Sequence, residues 1–269
     1  MKKTIILSLF SIFSCTVFSQ ESSTKIKLDS IIQEADLLYN YEKVTWKSTD
    51  IALSKEKIKN KFGSYIIYHS NDTIFAVIAD KKLKNQIAKY AFTENNLKAP
   101  FLEDIEVKPI SDKVSALFSI KTKILKNLNS NAAEYGFNFQ KGYNPNPVLI
   151  PDKNGFKLYI IIGTANSNVI PFGNDYLFRT DLNGNILSWR KFHKTLIATR
   201  TKGPNDEIVV SAIHSHLKMT PYITATDICT FRLYGFDLFG LKKVMVSSTA
   251  LNKIFTYNAE LNSITVTDL

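Results

Sequence analysis

Two of the four histidines in this 269-residue chain stand in one tripeptide, His214-Ser215-His216, behind the apolar run Val209-Val210-Ser211-Ala212-Ile213. The run, from Glu207 to Ile213, reads as a strand, and residues i and i+2 of a strand share a face, roughly 6.5–7 Å apart along it. Two imidazoles so placed can converge on one ion at Zn–N distances of about 2.0–2.1 Å. Seven residues after His216 comes Thr224, and two more separate it from Asp227. Asp227 falls in the first turn of a helix read over Ala225–Leu233, where its carboxylate can fold back as a third ligand. Two histidines and one carboxylate leave a tetrahedral position for water, which is the arrangement of catalytic zinc. The same residues have purely structural readings. His-x-His at a strand end is often a locally bonded pair, and Thr224-x-x-Asp227 has the form of a capping box, worth about 1 kcal/mol without any metal.

The pattern H-x-H-x7-S/T-x2-D, carried here by His214, His216, Thr224 and Asp227, resembles the signature of the JAB/MPN-plus (JAMM) metallopeptidase family. The resemblance covers about residues 111–269. It implies an α+β fold, a mixed sheet with flanking helices, in which His214, His216 and Asp227 bind Zn²⁺. It also implies a glutamate near the strand that follows the first helix. Glu134 would be that residue, holding the zinc-bound water as general base and then protonating the leaving amine. Thr224 would stand in place of the family's serine and help stabilise the oxyanion. Leu217 occupies a position where the family usually has proline. What the resemblance implies is a zinc-dependent hydrolase cleaving a peptide or isopeptide amide. A non-catalytic binding or scaffold protein that keeps the fold is the other reading.

Other polar residues carry weaker signals. His193, in Trp189-Arg190-Lys191-Phe192-His193, reads as lying on a hairpin face, and Arg190 and Lys191 as a solvated strand face. Cys229, one helical turn after Asp227, reads as a small buried hydrophobe. No phosphate-binding, dinucleotide or serine-hydrolase motif is present.

These candidates must be held by elements that the pattern also outlines. Leu28, Ile31, Ile32, Ala35, Leu37 and Leu38 recur at helical spacing, with Asp29 or Ser30 able to open the helix. Tyr65–His69, Thr73–Ala79 and Ile87–Thr93 read as a small meander. After about residue 110, Val114, Leu117, Phe118, Ile120, Ile124, Leu125 and Leu128 mark a second helix. Strands are expected at Tyr135–Phe139, Lys157–Ile162, Tyr176–Thr180 and Ile186–Phe192, the last two joined by the Asn183-Gly184 turn. Three closing strands are expected over Lys242–Ser247, Ile254–Tyr257 and Ile264–Val266. The division is a signal peptide (1–19), an N-terminal helix and meander (20–110) and a second unit (111–269).

Composition narrows the function classes. The chain is 45% hydrophobic and 22% charged with 10 Gly and 8 Pro, which excludes disordered and fibrous classes. Met1-Lys2-Lys3, the apolar run Ile5–Phe13 and the segment Val17-Phe18-Ser19 read as a secretory signal, so the mature chain is expected to be exported. Cys15 would be the anchor of a lipoprotein, but Phe13 two residues before it fits that pattern poorly. Without Lys2 and Lys3 the net charge falls from +10 to +8, with lysines scattered rather than interleaved with aromatics. A nucleic-acid partner is therefore not expected; a peptide, protein or cell-envelope substrate is. No later segment has the length to span a membrane. Cleavage would leave Cys229 as the sole cysteine, so an internal disulfide is excluded and a His/carboxylate metal site is the type that remains.

Overall fold

The computed structural model describes residues 3–203, 205, 207 and 209–269, with side chains from Ser23 onward. The signal-peptide and Cys15 readings fall on side chains outside the described residues. The class is α+β.

Helix α1 (Lys3–Leu53) is one uninterrupted rod. Asp29 and Ser30 do not open it as expected but lie inside it, because no Gly or Pro occurs between Lys3 and Leu53 to stop it. After the short α2 (Glu56–Lys59) come β1 (Phe62–Ser70), β2 (Thr73–Asp80), β3 (Asn85–Thr93), β4 (Leu102–Asp104) and β5 (Lys108–Pro109). They form an antiparallel sheet in the order β1-β2-β3-β4, with β5 also on β3. The expected meander is its centre, and Asn71 makes the first turn at φ +52°.

Helix α3 (Asp112–Ser130) buries Val114, Phe118, Ile124 and Leu128, close to the helix expected there. Then follow β6 (Tyr143–Asp152), β7 (Gly155–Thr164), β8 (Val169–Gly173), β9 (Tyr176–Thr180), β10 (Ile186–Lys191) and β11 (Leu196–Arg200). One sheet runs β10-β9-β7-β6, and β11 pairs β8. The strand expected over Tyr135–Phe139 does not form. Gly136 adopts φ +63°, and the rings of Tyr135, Phe137 and Phe139 instead pack tilted against one another and edge-on against Tyr176 and Phe178. Strand β6, which was not expected, carries Pro145, Pro147 and Pro151. It lies at a sheet edge, where missing N–H donors cost least.

The last sheet consists of β12 (Ser211–His216), β13 (Lys243–Ser248), β14 (Lys253–Asn258) and β15 (Ser263–Asp268). Its β12–β13 pair is parallel and the rest antiparallel. Between β12 and β13 lies α4 (Ala225–Thr230), which continues into a π-helical segment, Phe231–Phe236. Strand β12 begins later than the expected Glu207, and positions 204, 206 and 208 lie outside the described residues. Two apolar cores hold the chain. One gathers Leu38, Tyr41, Ile78, Tyr159, Phe172, Ala212, Ile228, Phe231 and Phe255; the other gathers Val77, Phe118, Leu158 and Phe178. Each draws on residues before and after position 110. Among the described residues no helix is long and apolar enough to cross a membrane.

Candidate metal centre

Strand β12 buries alternate residues, Ala212, His214 and His216, while Ile213 stays exposed. The i, i+2 spacing therefore puts both imidazoles on the inner face. Asp227 reaches them from the first turn of α4. Its position is fixed by a complete capping box. The Thr224 N–H donates to Asp227 Oδ2 (2.8 Å), the Thr224 hydroxyl donates to the same oxygen (2.6 Å), and Asp227 N–H donates to Thr224 Oγ1 (3.1 Å). The capping reading of Thr224-x-x-Asp227 is thus realised, and the same carboxylate faces the histidines. One carboxylate oxygen caps the helix, and the other, Oδ1, is buried without a hydrogen-bond donor.

A third imidazole completes the group. His193 lies just beyond β10, is buried, and joins His214, His216 and Asp227 so that one donor atom from each lies within 4.8 Å of the others. The measured separations are His193 Nε2 to His216 Nε2 2.8 Å, His214 Nε2 to His216 Nε2 3.2 Å, Asp227 Oδ1 to His214 Nε2 3.1 Å, Asp227 Oδ1 to His193 Nε2 3.3 Å and Asp227 Oδ2 to His216 Nε2 3.3 Å. Four ligands bonded at about 2.0–2.1 Å in a tetrahedron stand roughly 3.3 Å apart. Four edges among the three Nε2 atoms and Asp227 Oδ1, those of His216 to its two neighbouring imidazoles and of Oδ1 to His193 and His214, run 2.8–3.3 Å, at or below that spacing.

The outer nitrogens decide which way the lone pairs point. His193 Nδ1 faces a carboxylate, Asp175 Oδ1, at 2.7 Å, and His216 Nδ1 faces the Tyr222 carbonyl at 2.7 Å. Both partners can only accept, so each Nδ1 carries a proton, and a ring that is neutral turns a bare Nε2 inward. Two bare nitrogens 2.8 Å apart require a proton or a cation between them. Burial works against a charged His193, yet Asp175 and Asp227 outweigh it and raise its pKa to about 9. Burial likewise works against a charged Asp227, but the three imidazoles hold its carboxyl well below the usual range. A donor set of three imidazoles and one carboxylate, without thiolate, suits zinc and other first-row divalent ions.

Local packing holds the loops in place. Gly173 adopts φ +78°, and a Cβ there would stand 2.4 Å from the Thr195 carbonyl and 3.2 Å from His193 Cβ, so only glycine lets the His193 loop close on β8. Arg190 donates to the Met219 carbonyl and Thr220 Oγ1, and Thr220 donates to the Phe192 carbonyl, tying the Leu217–Ile223 loop to the end of β10. The Phe172 ring packs on His214.

No protein-family model, curated protein or solved structure matches the chain. The site therefore stands on its own chemistry. Of the residues singled out in the sequence, His214, His216 and Asp227 meet, and Thr224 supports Asp227. Glu134 is not among the residues brought together. It is exposed, in the turns after α3, and lines a surface cleft with Lys123, Asn127, Tyr135 and Trp189. Cys229 is fully buried, as expected.

His193 and Asp175 are the residues that reading by motif passed over. The signal for them was available. The Asn183-Gly184 hairpin pairs Tyr176 with Lys191, and counting outward from that turn sets Asp175 beside Phe192, whose N–H donates to the Asp175 carbonyl.

Proposed function

We propose that this chain is a zinc protein whose ion is held by His193, His214, His216 and Asp227. The observation that carries this reading is the convergence of four buried side chains, one donor atom of each within 4.8 Å of the others, with His216 Nε2 2.8 and 3.2 Å from the other two imidazole nitrogens and Asp227 Oδ1 3.1 and 3.3 Å from His214 and His193, near the roughly 3.3 Å edges of a zinc tetrahedron. All four residues are buried, and four protein ligands make the closed coordination of a stabilising rather than a hydrolytic centre. The chain is then an exported binding or scaffold protein, its signal segment removed, stabilised by metal where no disulfide can form. Metal analysis of the purified mature protein should find near-stoichiometric zinc, and a His214→Ala, His216→Ala double variant should hold none. Equal trace metal in both would remove the reading.

A second reading is an exported hydrolase of the JAB/MPN-plus type with the corresponding fold, acting on a peptide, isopeptide or cell-envelope substrate. It is favoured by the convergence of His214, His216 and Asp227 from the motif spacing. It requires His193 to leave the fourth position to water and the Glu134 segment to approach the ion. Cleavage of peptide and isopeptide substrates that is abolished in Glu134→Gln at unchanged zinc content would establish it. Absence of zinc-dependent cleavage in both the parent chain and His193→Ala would remove it.

A further inference from the structure

A fifth buried group borders the ligand set without entering it. Asp175, in the short link between β8 and β9, is 2% exposed. Its Oδ1 accepts from His193 Nδ1 at 2.7 Å, and its Oδ2 accepts from the Thr226 hydroxyl. Thr226 and Thr224 are two residues apart in one turn, with hydroxyl oxygens 2.9 Å from each other. Thr224 donates to Asp227 Oδ2 at 2.6 Å. One turn of chain thus clamps two carboxylates, Asp227 in the ligand set and Asp175 behind His193. Both oxygens of Asp175 are engaged by these partners, so it is not a ligand itself.

Charge leads to the same residue. With three neutral imidazoles, Asp227 contributes a single negative charge, and one divalent ion would leave the buried centre net positive. Asp175 supplies the second negative charge within one imidazole ring of the ion. A buried centre is stable when its charges are balanced and hydrogen-bonded.

Resting on the zinc reading above, we infer that Asp175 is the positioning residue of this centre, fixing His193 with Nε2 toward the ion and matching the site to a divalent cation. A hydrogen-bonded partner behind a metal-binding histidine typically sets affinity by about 10–100-fold. Asp175→Asn keeps an acceptor but loses the charge; Thr226→Val leaves Asp175 in place but releases its second oxygen. Zn²⁺ affinity is measured by competition with a chromogenic chelator, beside the melting of metal-stripped protein and the visible spectrum of the Co²⁺ form. The expected result is a zinc affinity about 10–100-fold weaker for Asp175→Asn and a smaller loss for Thr226→Val. Stripped-protein melting is expected to fall in Asp175→Asn, because the carboxylate also holds the His193 proton in the ion-free state, and the cobalt spectrum of Asp175→Asn to be altered. Affinity within about two-fold of the parent chain in Asp175→Asn would overturn the inference, since a partner of this kind acts well beyond that margin. So would a fall in stripped-protein stability without any change in affinity or cobalt spectrum. If Asp175→Asn does not fold, unchanged affinity in Thr226→Val overturns it equally. A parent chain that binds no metal removes the zinc reading and this inference together; a parent that binds while both variants match it removes the inference alone.

Discussion

Two buried polar centres in this chain resolve the cost of burial in different ways. Glu42 on α1 and Lys121 on α3 are both buried, at 1% and 5% exposure. Here the chain supplies its own cation. The Lys121 ammonium donates to the Tyr65 carbonyl at 3.3 Å and rides on the Tyr65 ring at 4.1 Å. Burial draws each group toward its neutral form, Glu42 up to about 7 and Lys121 down to about 8. At the His193, His214, His216 and Asp227 centre the pull is the other way. Asp227 stays strongly acidic despite complete burial, and the His193 proton is held more tightly. Where a sequence provides an ammonium, burial drives both partners toward neutrality. Where it provides acceptors facing one another, the charge is retained, and a proton held on an imidazole or a cation from outside must balance it.

Removing the external cation should give the largest effect. A ligand present at a thousand times its dissociation constant stabilises a fold by about 4 kcal/mol, which for a chain of this size corresponds to roughly 8–16 °C in melting temperature. A strong chelator is expected to lower the melting of the parent chain by that much. It should leave the His214→Ala, His216→Ala variant unmoved and act equally whether Glu42 is intact or replaced. A chelator response that survives in the double variant would place the ion elsewhere.

The self-balanced centre should respond to pH instead. Glu42 binds its proton more tightly in the native state, near 7, than at the ordinary value of 4.5. The folded protein therefore holds the extra proton between those values, and stability falls as pH rises through the window. In chelator-stripped protein, Glu42→Gln should remove this slope. The stability difference between the two chains should change by on the order of 3 kcal/mol across it. Parallel stability–pH curves would show that burial of Glu42 does not carry the strain assigned to it.

The Thr224–Asp227 pair both caps α4 and faces the two imidazoles of β12. His-x-His and the Thr224–Asp227 offset were legible because strand and helix periods are local. His193 was not, because a lone histidine after a hairpin gains meaning only once the sheet brings it to β12 and the close approach at Gly173 lets its loop shut. Asp175 was hidden for the same reason. The meander and the α3 helix were legible from their apolar spacing, whereas β6 was masked by its three prolines. In the Tyr135–Phe139 segment, aromatic alternation imitated a strand that Gly136 turns aside.

Smaller effects refine the comparison. Thr224→Val should cost about 1 kcal/mol of stability through the lost cap and weaken zinc binding, while Thr224→Ser should keep both; urea unfolding of stripped protein and chelator competition separate the two. Equal behaviour of Val and Ser would detach the cap from the metal centre. Smallest of all, Glu134→Gln should leave zinc content unchanged, because Glu134 is exposed and lies outside the buried cluster; loss of metal there would make it part of the site.

X-ray absorption at the zinc edge of the purified protein tests the central claim most directly. The expected spectrum has four nitrogen or oxygen neighbours at about 2.0–2.1 Å, with the outer-shell scattering of three imidazoles. Scattering from two imidazoles, or from water oxygens alone, would contradict the assignment of His193, His214, His216 and Asp227 to one ion.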